Sequence, residues 1–403
     1  MRAGRCEGLA RRISLAQAAA VLGVVLRVAV IGGGPAGLYF ASIWKGRHPR
    51  DEVRLFEQNP AGATWGFGVV FSDRALEFLR EDDPETVDLI SPRMETWRDI
   101  TIAHRGQSVP IDGVGFSAIG RLELLQLLQQ RARSVGVACE FERVVRSVEE
   151  LDGYDLIVAA DGVQSLVRRT FEAEFQSSLC YLANKFIWYG TTRRFATLTQ
   201  TFVESDVGTF NAHHYRYAPA MSTFIVECDP VTWSRAGFDT KTDEATRALC
   251  ERVFAETLQG HPLLSNRSFW RNFPWVWNER WCYRNMVLIG DALRTAHYSI
   301  GSGTRLAMED ALALTQALEA EPDDLPAGLA RYEAARRPIV EKLVGASKTS
   351  ASWYERFGDH MRLAPIDLAM SYICRSGRID AARLRAMAPQ FMALYDSRRV
   401  GGA

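Results

Sequence analysis

Much of what would assign a function at sight is missing from this chain. The seven cysteines, Cys6, Cys139, Cys180, Cys228, Cys250, Cys282 and Cys374, form no C-x-x-C pair and no His-Cys cluster. That argues against a zinc site, any other metal centre or a disulfide framework, and suits a reducing, cytoplasmic compartment. Neither sign of charge dominates, with Lys plus Arg and Asp plus Glu at 48 each. Nucleic acid is therefore not an expected partner. No stretch reaches the roughly 18 uninterrupted apolar residues of a membrane span, so no stable membrane association is expected. Internal repeats and low-complexity segments are absent too.

What is present is an ordinary globular composition, 47% hydrophobic over 403 residues, enough for a large core and two domains. Residues 1–25 place arginines before an apolar run, in the manner of a signal peptide. The run continues without a polar break into a strand at Leu26–Ile31, so removal would start the chain inside its first strand. A dispensable N-terminal extension is the better expectation. Pro35–Trp44 reads as a helix and Glu52–Glu57 as a second strand. Arg121–Gly136 has helical spacing, with Leu122, Leu125 and Leu128 as its apolar positions and Gly136 as its stop. Asp155–Ala160 is a buried strand. From Leu179 to Cys228 the chain turns to Phe, Tyr, Thr and His, the composition of an antiparallel sheet. Helices are expected at Thr240–Gly260, Gly303–Leu318, 327–354 and in the tail, and a strand at Met286–Gly290.

Three motifs lie far apart. Gly32, Gly34 and Gly37 follow the first strand and open the first helix, with Pro35 and Ala36 between them. The first glycine permits the tight turn, the second lets a pyrophosphate approach the backbone, and the third lets helix and strand pack closely. The helix start offers unpaired N–H groups and a positive dipole end. Glu57, 20 residues beyond Gly37, can bond a ribose. A glycine turn alone is weak, but strand, turn, helix, strand and acid together point to a dinucleotide. The second motif is Asp161-Gly162, continuing to Ser165 and Arg168. The third is Gly290-Asp291. Both end apolar strands, where ligands of an open α/β sheet bind. Either aspartate alone would read as a turn residue.

Together, in this order, the three resemble the single-component flavoprotein aromatic hydroxylases (group A) over about residues 26–320. The resemblance implies an α/β fold of the p-hydroxybenzoate hydroxylase type: a Rossmann-like FAD-binding domain interleaved with an antiparallel-sheet substrate domain, followed by C-terminal helices. The expected division is 26–71, 116–170 and 281–325 for the FAD-binding domain, 72–115 and 171–280 for the substrate domain, and 326–403 for the helical region. It further implies that Asp161, Ser165 and Arg168 lie near the FAD pyrophosphate, that Asp291 contacts the ribityl chain, and that Arg121 contacts FAD. It implies too that Gly301, Gly303 and Thr304 open a helix whose start would point at the flavin. In this last segment His297-Tyr298 stands where the family usually has proline, and Arg305 where it has asparagine.

Those departures, with VVFSDRAL at 69–76 and RYEAARRPIVEKL at 331–343, resemble the acyl-CoA branch, the salicylyl-CoA 5-hydroxylases and the monooxygenase half of the 2-aminobenzoyl-CoA enzymes. Length favours the stand-alone hydroxylase. The resemblance implies that NAD(P)H, NADH by preference, reduces FAD, and that O₂ then delivers oxygen through a flavin C4a-hydroperoxide to an electron-rich ring. Salicylyl-CoA to gentisyl-CoA is the leading expectation; 2-aminobenzoyl-CoA or a free aromatic acid are alternatives. A second glycine fingerprint is missing, but in this family the nicotinamide cofactor binds without its own Rossmann domain. A base near the ring is useful, and His297, His213 and His214 are candidates, His297 foremost for its place in the flavin-facing loop. Tyr298, Tyr215 and Trp188 are pocket candidates. Arg193, Arg194, Arg216, Arg235 and Arg294 are arginines that could meet CoA phosphates, though each is more simply read as surface charge. A monomer or homodimer is expected. Among other users of the scaffold, a flavin halogenase is disfavoured: Trp275-Val276-Trp277 lacks the following Ile-Pro, and no lysine lies between Lys45 and Lys185. The polar middle segment speaks against a prenyl reductase. A non-enzymatic flavin-binding protein is the remaining alternative.

Overall fold

A computed structural model describes residues 25–72 and 77–400. The extension before Val25 and the end of the 69–76 segment lie outside the described residues. No helix among those described is long and apolar enough to cross a membrane.

The first layer is a six-stranded sheet in the order Cys282–Tyr283, Met286–Leu288, Leu156–Ala159, Arg27–Ile31, Glu52–Phe56, Ala138–Glu140. All pairings are parallel except the hairpin at the first edge. Parallel strands are covered on both faces, so they read as continuous apolar runs rather than alternations. The register places Ile31, Phe56, Ala159 and Leu288 side by side. The three motifs and Glu57 therefore emerge at one edge of one sheet. Helix Pro35–Arg47 starts there. It is buried along Ala36–Trp44 because it packs between the helices Arg121–Ser134 and Gly303–Ala320.

The second layer is a large, mostly antiparallel sheet. Its path runs Leu263–Leu264, Ser177–Thr191, Met221–Cys228, Gly208–Ala218, Leu198–Ser205, Ile100–His104, Gln107–Ile111, with Arg271–Asn278 also pairing Ser177–Thr191. Strand alternation gives it two different faces. Phe210, Ala212, Phe224 and Val226 join a core with helix Asp243–Val253. Leu198, Phe202 and Tyr215 face the opposite way, toward Trp353, Phe357, Leu368 and Tyr372 of the C-terminal helices. A small sheet of Gly68–Ser72, Phe116–Gly120 and Glu95–Trp97 lies against strand Gly208–Ala218.

Several expectations needed correction. Leu122 is exposed, and Leu124, Leu125, Leu127 and Leu128 supply the buried stripe of their helix. The helix read over Thr240–Gly260 is two pieces, Asp243–Val253 and Ala255–Leu258, separated by Phe254. The strands between 95 and 111 carried no clear signal, because they are three to five residues long.

One buried ion network ties helices Gly303–Ala320 and Leu325–Tyr354 to the turn that follows strand Met286–Leu288. Asp310, on helix Gly303–Ala320, accepts from Arg294 Nη2 (2.7 Å), Arg336 Nε (3.0 Å) and the Gly290 backbone N–H (3.1 Å). Arg294 in turn donates to the Gly290 carbonyl oxygen (3.0 Å). Asp310 and Arg294 are fully buried. Arg294 is thus a structural cation, not a surface arginine awaiting a phosphate. Removing one partner of a buried network strands the others, at a cost of about 3–5 kcal/mol. Asp310→Ala should lower unfolding free energy by that amount in a urea titration, whereas Asp323→Ala, at an exposed position ahead of helix Leu325–Tyr354, should change it little.

Candidate functional site

The glycine turn works through close contact and open space in alternation. Gly32 has φ of +104°, and a side chain there would collide with the Ala160 carbonyl. A Cβ on Gly37 would collide with the Gly32 carbonyl. Gly34, between them, has no atom within 4 Å of where its Cβ would sit. The packed glycines shape the turn, and the open one faces a cavity.

That cavity, of about 360 Å³, has two kinds of wall. One is the edge of the parallel sheet: Gly34, Pro35, Ala36, Arg121, Asp291, Gly301, Gly303 and Thr304, all expected cofactor contacts, line it. Helix Gly303–Ala320 opens into it without a side-chain cap, so its first N–H groups and positive end are available to an anion. Burial lowers the pKa of the Arg121 guanidinium, with Asp291 opposing that shift. Arg121 Nε has no partner among the described residues. Asp291 is exposed to the cavity, yet the surrounding protein raises its carboxyl pKa against Arg294 and Arg121.

The other wall is the large sheet. Phe186 and Trp188, His213 and Tyr215, and Ile225 come from three adjacent strands and line the cavity. Trp188 and His213 both pair with Ile225 in register, so the three form one row across the sheet. Orphaned nitrogens single out His213. It is 5% exposed, and neither ring nitrogen has a partner. Burial, then Arg375, pushes its pKa down to about 3, so the ring is neutral at working pH. His214, one residue on, points to the other face and bonds Thr201 Oγ1 (2.9 Å). Tyr298 lines the cavity and donates its hydroxyl to Glu227 Oε2 (2.5 Å). Glu227 also accepts from Asn184 Nδ2 (2.8 Å). It is 1% exposed, and burial pushes its carboxyl up to about 7 despite the Tyr298 and Asn184 hydrogen bonds.

Other expected residues sit behind the walls. His297 does not line the cavity. It is buried among Phe273, Tyr298 and Tyr354, its Nδ1 accepts the Ser299 N–H, and burial lowers its pKa to about 3. That corrects its reading as the foremost base. Asp161 accepts from the Leu166 N–H (2.7 Å) and holds its turn; the neighbouring Ala160, Gly162 and Val163 form the wall. Arg168 donates to the Val163 and Ala292 carbonyls and so clamps the second motif to the third, while Ser165 caps its helix. Glu57 accepts from the Gly33 N–H (2.7 Å) and from Asn59 (2.8 and 2.7 Å). Arg216 pairs with Glu95 (2.6 Å), and Arg193, Arg194 and Arg235 do not line the cavity. Sequence reasoning missed Glu227 and Arg271. Arg271 lines the cavity, its pKa lowered by burial and by Arg121. Neither residue stands in a local motif; only strand register brings them in.

The open Gly34, the uncapped helix start and the unpartnered Arg121 fit a flavin dinucleotide. Comparison with known proteins agrees. The family described as FAD binding domain matches residues 153–347. Salicyloyl-CoA 5-hydroxylase of a Streptomyces species is 40% identical over 87% of this chain and 70% of its own length. The 3-hydroxy-4-methyl-anthranilyl-[aryl-carrier protein] 5-monooxygenase of Streptosporangium sibiricum is 37% identical over 83% and 90%. The chain belongs to the FAD-dependent aromatic monooxygenases. The solved structure of 2-methyl-3-hydroxypyridine-5-carboxylic acid oxygenase, with a TM-score of 0.69 and 20% identity over 91% of this chain and 96% of its own, shares the fold.

The glycine geometry of this monooxygenase separates binding from folding. The Cβ of Gly34→Val meets no protein atom within 4 Å and its methyls extend toward the cavity side, so it should give a folded protein with little bound flavin, read as the ratio of 450 to 280 nm absorbance. Gly37→Ala forces helix from strand and should fail to fold. Full flavin content in Gly34→Val would contradict this assignment.

Proposed function

We propose that this monooxygenase hydroxylates an aryl-CoA thioester, with salicylyl-CoA to gentisyl-CoA as the leading reaction and NADH as the electron donor. One oxygen atom of O₂ enters the ring C–H bond and the other leaves as water, the two electrons coming from NADH. The observation that carries this reading is that the FAD-fitting sheet edge and the aromatic face of the large sheet line one cavity. The similarity to salicyloyl-CoA 5-hydroxylase supports the thioester.

FAD, when bound, supplies the electron transfer and the activation of oxygen. The Gly34–Ala36 backbone and the start of helix Gly303–Ala320 would hold it, and Glu57 would meet its ribose through the Gly33 turn. The chain's own work is to seat the ring, exclude water and move a proton. Phe186, Trp188, Tyr215 and Ile225 provide an apolar seat that keeps water away. His213, neutral and unpartnered, bonds the polar group beside the ring. A phenolic ring becomes more nucleophilic as its proton leaves. Tyr298 can accept that proton while passing its own to Glu227, whose carboxylate form is present above about pH 7. Below that pH Glu227 is protonated and the relay is closed.

Hydroxylation should therefore rise between pH 6 and 8 in the native enzyme and lose that limb in Glu227→Gln. Tyr298→Phe should lower kcat by roughly 100-fold, the lower end of the range for a positioned acid or base. NADH oxidation with product mass, compared for salicylyl-CoA, 2-aminobenzoyl-CoA and free salicylate, tests the substrate. Turnover of free salicylate alone would overturn the thioester reading, and an unaltered pH limb in Glu227→Gln would overturn the relay.

A further inference from the structure

A second cavity, of about 660 Å³, adjoins the first and shares Val70, His213, Gly301 and Ser302 with it. Its composition is one-sided. Arg305, Arg375, Arg378 and Arg383 line it, and no aspartate or glutamate does. Among the described residues, Arg375, Arg378 and Arg383 form no ion pair with a carboxylate. Arg375 is held by neutral groups: it donates to the carbonyls of Tyr372 (2.7 Å) and Ser299 (2.6 Å) and lies over the Tyr372 ring at 3.8 Å. Arg383 donates to the Arg378 carbonyl (3.2 Å). Burial lowers the pKa of Arg378, and Arg383 and then Arg305 lower it further as like charges. The neighbouring acid, Asp380, accepts the Arg383 backbone N–H (2.8 Å) as a helix cap and is not in the wall. Between the arginines and His213 the wall includes Leu306, Leu343 and Ile373.

Like charges gathered without a counter-charge are costly unless an anion joins them. A polyanion with a long uncharged arm reaching His213 would satisfy both parts of the wall. We infer that Arg375, Arg378 and Arg383 form a docking site for the phosphates of coenzyme A, with the pantetheine arm running along the apolar wall to the ring site. This rests on the aryl-thioester reading above and assigns it a place. It also replaces the arginines singled out from sequence. The same chemistry, an adenine nucleotide diphosphate, also belongs to NADH, so the test must separate the two.

Arg378 and Arg383 are exposed and make no ion pair, so an Arg378→Ala/Arg383→Ala double variant should fold and hold flavin as the native protein does. Charge-assisted hydrogen bonds of this kind are worth roughly tenfold or more in affinity per arginine. The double variant should bind unacylated coenzyme A, measured by calorimetry on holoenzyme, roughly 100-fold more weakly if two such contacts are lost. Its KM for the aryl-CoA should rise similarly. The KM for the aryl-pantetheine thioester, the KM for NADH and kcat should stay unchanged. Arg385→Ala, on the same helix but paired with Asp396, is the control. A raised KM for NADH with aryl-CoA unaffected would assign the cavity to the nicotinamide cofactor and overturn the inference. So would unchanged coenzyme A affinity. Because calorimetry needs no turnover, it separates these failures from a failure of the thioester reaction, in which no aryl-CoA is hydroxylated by the native enzyme.

Discussion

The carboxylate of Asp310 is the constraint on which the site depends. It sits on the helix that opens into the cavity, and it fixes both the Gly290 turn and the two arginines around it. Its two oxygens leave helix Gly303–Ala320 little freedom to slide along the parallel sheet. The uncapped start of that helix is therefore held at a set distance from the glycine turn at Gly32–Gly37. Arg168 plays the same part between the Asp161 and Gly290 turns, using carbonyl oxygens instead of a carboxylate. Buried charges gain from such packing only when every partner is present, so the cavity edge and the core stand or fall together.

The second condition is set by strand alternation. His213 and His214 are neighbours in sequence, and the pleat sends one to the cavity and the other to the core behind it. The same rule puts Phe186 and Trp188 on the cavity face. The register of Asn211 with Glu227 then brings a carboxylate beneath Tyr298. The apolar wall, the neutral imidazole and the Glu227 carboxylate come from one sheet face, and Tyr298 reaches that carboxylate from the turn at Tyr298–Ile300. The C-terminal helices bury the rest of that face, and Arg375, at the end of helix Pro365–Cys374, lines the second cavity.

The parallel sheet and its three turns were legible because each motif combines an apolar run with a glycine or aspartate at a fixed place. Strand order then follows from the fold, and Gly34, singled out by its spacing, lines one cavity with Arg121 and Asp291, singled out by the family resemblance. The aromatic wall was half legible: Trp188, His213, Tyr215 and Tyr298 stood out as residue types, but nothing local said which histidine faced inward. His297 looked well placed by sequence proximity and is buried behind Tyr298. Glu227 was invisible because a glutamate inside an apolar strand reads as an edge charge until register shows its partner. The arginine-lined chamber was invisible for a different reason. Its walls come from the 113–116 loop, the flavin-facing loop and the last helices, which no local pattern connects.

The central claim is that one cavity holds FAD against an aryl thioester and passes oxygen to its ring. Oxygen-18 labelling tests it most directly: holoenzyme, NADH and salicylyl-CoA are mixed under labelled O₂, and the thioester is weighed. The account predicts a product carrying one labelled oxygen on the ring. NADH consumption that yields only labelled hydrogen peroxide, with the thioester unchanged in mass, would contradict it.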